Sequence, residues 1–261
     1  MYSILEHYLS TNHILMIGMI VTFILTFFLL EHPFSFLPSD QGRAFAVNGS
    51  LSKGKLRGVG FIFVLCFLIS SVLFLPIDVE YVIYAILLFA MMISGYLDDA
   101  SKTPWNEYKK GLIDLVISVV AVLTYMNFNS TTICFGADEI VIPKALFLIL
   151  GVILIWVSVN VTNCTDGVDG LCASLCSVTL LAFGVLFAPI LQKYAMANFL
   201  FLSVLFAYLY FNSSPSSMLM GDAGSRALGF YIAVIALKST HPFIYILLAA
   251  VMIVDGGIGL V

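Results

Sequence analysis

Residues 143–191 read PKALFLILGVILIWVSVNVTNCTDGVDGLCASLCSVTLLAFGVLFAPIL. Two solidly apolar runs, 143–159 and 171–191, flank a short acidic segment that carries Asn160, Asn163, Asp166 and Asp169, with Gly167 and Gly170 between the carboxylates. Each run is close to the ~20 residues a helix needs to cross a bilayer. Polar, glycine-bearing backbone between two such helices is costly unless it lines a wet site. The stretch therefore reads as two membrane helices joined by a turn that faces polar ligands.

The rest of the chain agrees. Of its 261 residues 61% are hydrophobic and 10% charged, with a mean hydropathy of +1.09, whereas a soluble domain is about half apolar and a quarter charged. The apolar runs are continuous rather than alternating, which excludes an outer-membrane barrel. The fold expected is all-α: a polytopic integral membrane protein with about nine transmembrane helices, at 14–30, 59–75, 81–97, 112–125, 143–159, 171–191, 195–211, 227–237 and 242–254. The segment 127–142 reads as a polar connection with some strand character. The N-terminal MYSILEHYLSTNH lacks a basic leader and a cleavage site, so the first run reads as a retained helix. Five cysteines, none in a CxxC pair, read as packing residues.

Helix parity then divides the charges. Arg43, Lys53, Lys55, Arg57, Lys102, Lys109, Lys110 and Arg226 fall on one face, eight of the 11 Lys and Arg. The positive-inside rule makes that face cytoplasmic and puts the N-terminus outside. The same face collects the acids: Asp98 and Asp99 in GYLDDASK, Asp166 and Asp169, Asp222 in GDAGSR, and Asp255. An adjacent Asp pair at a helix C-terminus opposes the helix dipole and calls for a counter-cation. Asp222 opens a helix, where Asp is also a common N-cap. The 160–171 segment does not match an EF-hand loop, which argues against calcium. Clustered carboxylates with lysines at a membrane face suit magnesium, which takes one or two carboxylates plus substrate phosphates. The chemistry they support is phosphoryl-group transfer between a nucleotide-linked donor and a lipid phosphate. The rival class is a membrane transporter, which intramembrane carboxylates also mark; here the acids sit at helix ends and no inverted repeat is evident.

Three motifs, the Asp98-Asp99 pair, NVTNCTDGVDGL at 160–171 and GDAGS at 221–225, together resemble the polyprenyl-phosphate N-acetylhexosamine-1-phosphate transferase superfamily, in the same order and over essentially the whole chain. Within it, Thr165, the Asn212…Pro215…Gly221-Asp222 arrangement and Ala-Leu-Gly at 227–229 look like the phospho-N-acetylmuramoyl-pentapeptide transferases. Ala223 and Phe230 look like the alternative, the N-acetylglucosamine-1-phosphate transferases that initiate other surface polymers. The resemblance to the first implies transfer of phospho-MurNAc-pentapeptide from its UDP carrier to undecaprenyl phosphate, giving lipid I and UMP for peptidoglycan, with Mg2+. It implies a multi-pass protein of the cell (inner or plasma) membrane with its site on the cytoplasmic face, no nucleic-acid partner, and is compatible with a homodimer. By the same resemblance Asp222 is the magnesium ligand and, with Asp98 and Asp99, catalytic, Asp98 being the base. Asn163, Asp166, Asp169, Asn212, Lys53, Lys109 and Lys110 bind substrate. Three departures stand out. Leu219 replaces the family's phenylalanine, the family's GTPTMGG run reads GKLRGVG here, and residues 1–261 form a single catalytic domain that stops before the family's His-rich loop and tenth helix.

Overall fold

The computed structural model describes residues 1–32, 34–40, 42, 52–136 and 138–259. Arg43, counted above among the loop cations, lies outside them. In chain order the elements are α1 (Tyr2–Leu5), α2 (Thr11–Glu31), α3 (Gly60–Phe74), α4 (Val79–Asp99), α5 (Glu107–Phe128), β1 (Thr132–Phe135), β2 (Asp138–Val141), α6 (Lys144–Thr165), α7 (Leu171–Leu186), α8 (Ala188–Leu191), α9 (Lys193–Asn212), α10 (Gly221–Lys238), α11 (Ile244–Leu248) and α12 (Ala250–Gly259). Among the described residues five helices, α2, α4, α5, α6 and α9, are long and apolar enough to cross a membrane, and α3 and α7 are shorter apolar helices. The protein is a polytopic all-α membrane protein.

The expected spans map onto these helices with four differences, the first being that the span expected at 227–237 starts at Gly221 as α10. The span expected at 112–125 starts earlier, because Asn106 accepts the Lys109 N–H and caps α5. The span expected at 171–191 breaks after Leu186, where Pro189 cannot continue the amide ladder, and resumes as α8. The last span divides into α11 and α12 around Ala249. The strand character expected at 127–142 is a two-stranded antiparallel hairpin that pairs Thr132 with Val141 and Phe135 with Asp138.

The organising helix is α10. Its residues from Gly221 to Leu237 are all buried, and α3, α4, α6 and α7 pack around it. Helices in lipid gain little from apolar burial against one another, so close approach of small residues must hold them. A Cβ placed on Gly60 of α3 would stand 2.1 Å from the Gly224 nitrogen, and one on Gly229 would stand 2.6 Å from the Ser158 carbonyl of α6. The outer helices turn Ile20, Ile86, Val116, Ile149 and Val178 outward, all exposed, as a lipid-facing surface requires. At the end of the bundle away from the acids, Lys238 bonds both Glu80 carboxylate oxygens and Asn129 Oδ1, stitching α10 to α4 and α5.

Candidate active site

The C-terminus of α4 abuts the N-terminus of α10, and this meeting builds the site. Asp99 accepts the Asp222 N–H at 3.2 Å and the Ala223 N–H at 3.0 Å. An acid that its own helix dipole disfavours is stabilised by the positive end of the next helix. Close approach is required here twice. A Cβ on Gly95 would stand 2.3 Å from the Asp222 carbonyl oxygen, and one on Gly221, at φ +66°, would stand 2.4 Å from the Asp99 carboxylate.

Two cations bind four carboxylates. Arg57 donates from Nε to Asp99 Oδ1 at 2.8 Å and reaches Asp222 Oδ1 at 3.5 Å and Asp40 Oδ1 at 3.5 Å. Burial alone would lower the Arg57 pKa, but Asp99, Asp222 and Asp40 together raise it, so it is a fixed cation. Lys110 reaches Asp98 Oδ2 at 2.7 Å and Asp222 Oδ2 at 3.3 Å. The other Asp98 oxygen accepts the Trp105 N–H at 2.7 Å. Four buried carboxylates thus contact two cations, which leaves the cluster negative and hospitable to further positive charge.

A second group adjoins the first. Asp169 accepts from the Ser216 N–H at 3.0 Å and the Ser216 hydroxyl at 2.7 Å, with Lys55 Nζ at 3.7 Å. Burial pushes the Asp169 carboxyl up, yet the Ser216 bonds and Lys55 outweigh it and hold it below the usual range. Asn212 accepts the Gly170 N–H at 3.0 Å and donates to the Met218 carbonyl at 2.9 Å. Gly170 sits at φ +76°, which a side chain would disfavour. Asp169 and Asn212 therefore tie the 166–170 turn to the 212–218 loop.

The sequence-predicted residues divide accordingly. Asp98, Asp99, Asp222 and Lys110 come together. Asp169 and Asn212 stand in the adjoining group, and Asn212, buried, spends its amide on backbone rather than presenting it to a ligand. Asp166 ends α6, its N–H donating to the Asn163 carbonyl. Asn163 lines a cavity beside Lys110. Lys109 is turned away, its ammonium 3.2 Å over the Trp105 ring. Lys53 is exposed in the turn before Lys55. The cations the 52–57 loop delivers to the carboxylates are instead Lys55 and Arg57. Leu56 bridges Met218 and Ser39, and Leu219 N donates to Leu56 O. This extended pairing turns residues 55 and 57 to one side. The departure GKLRGVG is thus where the additional site residues lie, and it is the pairing of Leu56, not the residue types, that separates them from Lys53. Leu219, buried and paired through its backbone, is packing.

These features, three acids from two helix ends held by cations from a loop and from α5, suit a phosphate-handling site. Residues 81–240 match glycosyl transferase family 4. The phospho-N-acetylmuramoyl-pentapeptide-transferase of Treponema pallidum (strain Nichols) is 35% identical over 94% of this chain and 73% of its own length. This chain belongs to that family. The phospho-N-acetylmuramoyl-pentapeptide-transferases of Halalkalibacterium halodurans and Wolinella succinogenes are 28% and 29% identical, over 94% and 81% of this chain and 81% and 68% of their own lengths. The family match begins at Tyr81 and covers all three acidic motifs but not the loop that supplies Lys55 and Arg57.

Magnesium takes hard oxygen donors. Asp98 and Asp222 aim hard oxygen donors at one point, now held by the Lys110 ammonium. Among the described residues no three acids, histidines or cysteines form a ready-made cage. Two carboxylates without a cage fit an ion that completes its shell with substrate phosphates and water.

Proposed function

We propose that this protein transfers phospho-MurNAc-pentapeptide from UDP-MurNAc-pentapeptide to undecaprenyl phosphate, giving lipid I and UMP, on the cytoplasmic face of the cell membrane. The observation that carries the reading is the convergence of Asp98, Asp99 and Asp222 with Arg57 and Lys110 at one end of the bundle. The excess of Lys and Arg at that end supports the cytoplasmic orientation.

In this reading an oxygen of the acceptor phosphate attacks the β-phosphorus of the donor. A new P–O bond forms, the bond from that phosphorus to the bridging oxygen breaks, and UMP leaves with the electron pair. Lys110 and Arg57 neutralise the phosphate charge that crowds the site. A phosphate monoester loses its second proton near pH 6, so the acceptor is largely a competent nucleophile at neutral pH. Asp98 then has only the residual proton to take, and a phospho-aspartate intermediate is unnecessary. Asp99, whose side chain is fully enclosed, positions Asp222 and Arg57 rather than touching substrate. Magnesium, when bound, would be held by Asp222 with Asp98 and would offset charge developing on the departing UMP.

Ala223 and Phe230, the residues that look like the N-acetylglucosamine-1-phosphate transferases, are both buried within α10. They pack helices and do not bear on the sugar. The test is Asp222→Ala: magnesium-dependent release of UMP should vanish in a variant that still folds. Retained turnover would remove Asp222 from the reaction.

A further inference from the structure

Lys110 of α5 and Asp222 of α10 form one ion-paired rung. Four residues further along each helix, one turn deeper into the bundle, the charges are reversed: Arg226 Nη2 meets Asp114 Oδ1 at 2.5 Å, with both residues buried. The reaction as derived makes no use of this pair, and among the described residues the pair is not self-sufficient. Arg226 is 1% exposed, and neither its Nε nor its Nη1 has a hydrogen-bond partner. A guanidinium has five N–H donors and cannot shed its charge. Leaving charged donors buried and unpaired costs more than the same deficit on a neutral group, so this arm calls for an oxygen-bearing ligand.

Arg226 borders a cavity of about 490 Å³, lined also by Lys110, Asn160, Asn163, Cys164 and Trp156. The cavity has two kinds of border. Glu107, with its side chain 88% exposed, stands at the polar end, and Trp156 is exposed on the outer surface of α6, which faces lipid. A ligand suited to both has an anionic head and an apolar tail.

We infer that this cavity receives a phosphate monoester carried on an apolar chain, with Arg226 holding its oxygens one helical turn from Asp222. On the proposed reaction, on which this inference rests, the ligand is the lipid acceptor. The nucleotide diphosphate is left to Lys55 and Arg57, which pair with Asp169 and with Asp99 and Asp222. Asp114 orients Arg226 and offsets its charge when the cavity holds only water.

The test uses the full chain and two readouts. In the wild type, the Cys164 thiol, half-buried in the cavity, is alkylated with a small maleimide and followed by peptide mass spectrometry; buried Cys66, Cys172 and Cys176 are internal references. A short-chain polyprenyl phosphate, supplied at a few times its Kd, should slow labelling of Cys164 several-fold, the factor being set by occupancy of the cavity. The matching polyprenol, inorganic phosphate and UDP should not. Arg226→Leu should abolish the protection and raise the acceptor KM about tenfold, with the donor KM held within about twofold, and Arg226→Lys should fall between. Protection by UDP would place the nucleotide here, protection by inorganic phosphate would make this a free-phosphate site, and either overturns the assignment. So would protection that survives in folded Arg226→Leu, or an unprotected wild type. If Arg226→Leu does not fold, Arg226→Lys and the wild-type labelling decide. Labelling needs no turnover, so protection without lipid I formation would count against the proposed reaction and keep this site.

Discussion

Gly95→Ala isolates the geometry on which the site depends. The new methyl would stand 2.3 Å from the Asp222 carbonyl oxygen, 2.4 Å from its carbon and 2.6 Å from the Ala223 nitrogen. All three are backbone atoms, so no side-chain rotation relieves the clash. Ordinary contact begins at 3.4 Å, so the start of α10 must retreat by about 1.1 Å from α4. That retreat stretches the Asp99 bonds to the Asp222 and Ala223 amides, now 3.2 and 3.0 Å, and moves the Asp222 carboxylate relative to Lys110. Overpacking of this size costs about 1–3 kcal/mol of stability, and a misplacement of about 1 Å costs on the order of 100-fold in rate. The assay is UMP release by purified protein in detergent, beside thermal unfolding to show that the variant is folded. Gly257→Ala, where an added Cβ meets nothing within 4 Å, is the control and should keep wild-type turnover. A folded Gly95→Ala protein with near-wild-type turnover would refute the claim that contact between α4 and α10 sets the site.

Other consequences are as concrete. Asp99→Ala leaves Arg57 without its closest partner and the α10 amides without an acceptor; loss of one member of a buried pair costs about 3–5 kcal/mol, so the thermal midpoint should fall sharply, and an unchanged midpoint would contradict the role given to Asp99. Asn212→Ala strands the Gly170 N–H and the Met218 carbonyl; stability should drop by about 2 kcal/mol and the donor KM should rise, both measurable on one preparation. Asp169 has a depressed folded pKa, so its link to Ser216 and Lys55 contributes fully above the unfolded value of about 3.9 and is lost as pH falls through the lower folded value. The difference in thermal midpoint between wild type and Asp169→Asn should therefore be flat from about pH 5 to 8 and shrink only below about pH 4; a change near neutrality would contradict the ion pair.

The fold was legible because membrane helices must satisfy their own backbone and so announce themselves as long apolar runs. Their breaks were less so: the interruptions at Leu186 and Ala249 lie inside continuous apolar sequence, and composition carries no mark of them beyond Pro189. The acidic core of the site was also readable, since Asp98, Asp99 and Asp222 sit at helix ends where charge must have a partner. The cations were not. Lys53, Lys55 and Arg57 are equivalent as loop charges, and only the pairing of Leu56 with Met218 decides that 55 and 57 turn inward. Lys109 and Lys110 are adjacent, and helix rotation alone sends one to Trp105 and the other to Asp222. Asp114 and Arg226 lie within their helices, one turn beyond Lys110 and Asp222, where the sequence shows each as a lone charge and hides that they meet.

The central claim is the chemistry of the donor. The most direct measurement supplies the purified protein, with undecaprenyl phosphate and magnesium, with UDP-MurNAc-pentapeptide and UDP-GlcNAc in parallel and follows UMP. Release of UMP with formation of lipid I from the first donor alone is the result predicted. Release from UDP-GlcNAc in its place, with none from the muramoyl-pentapeptide donor, would contradict it.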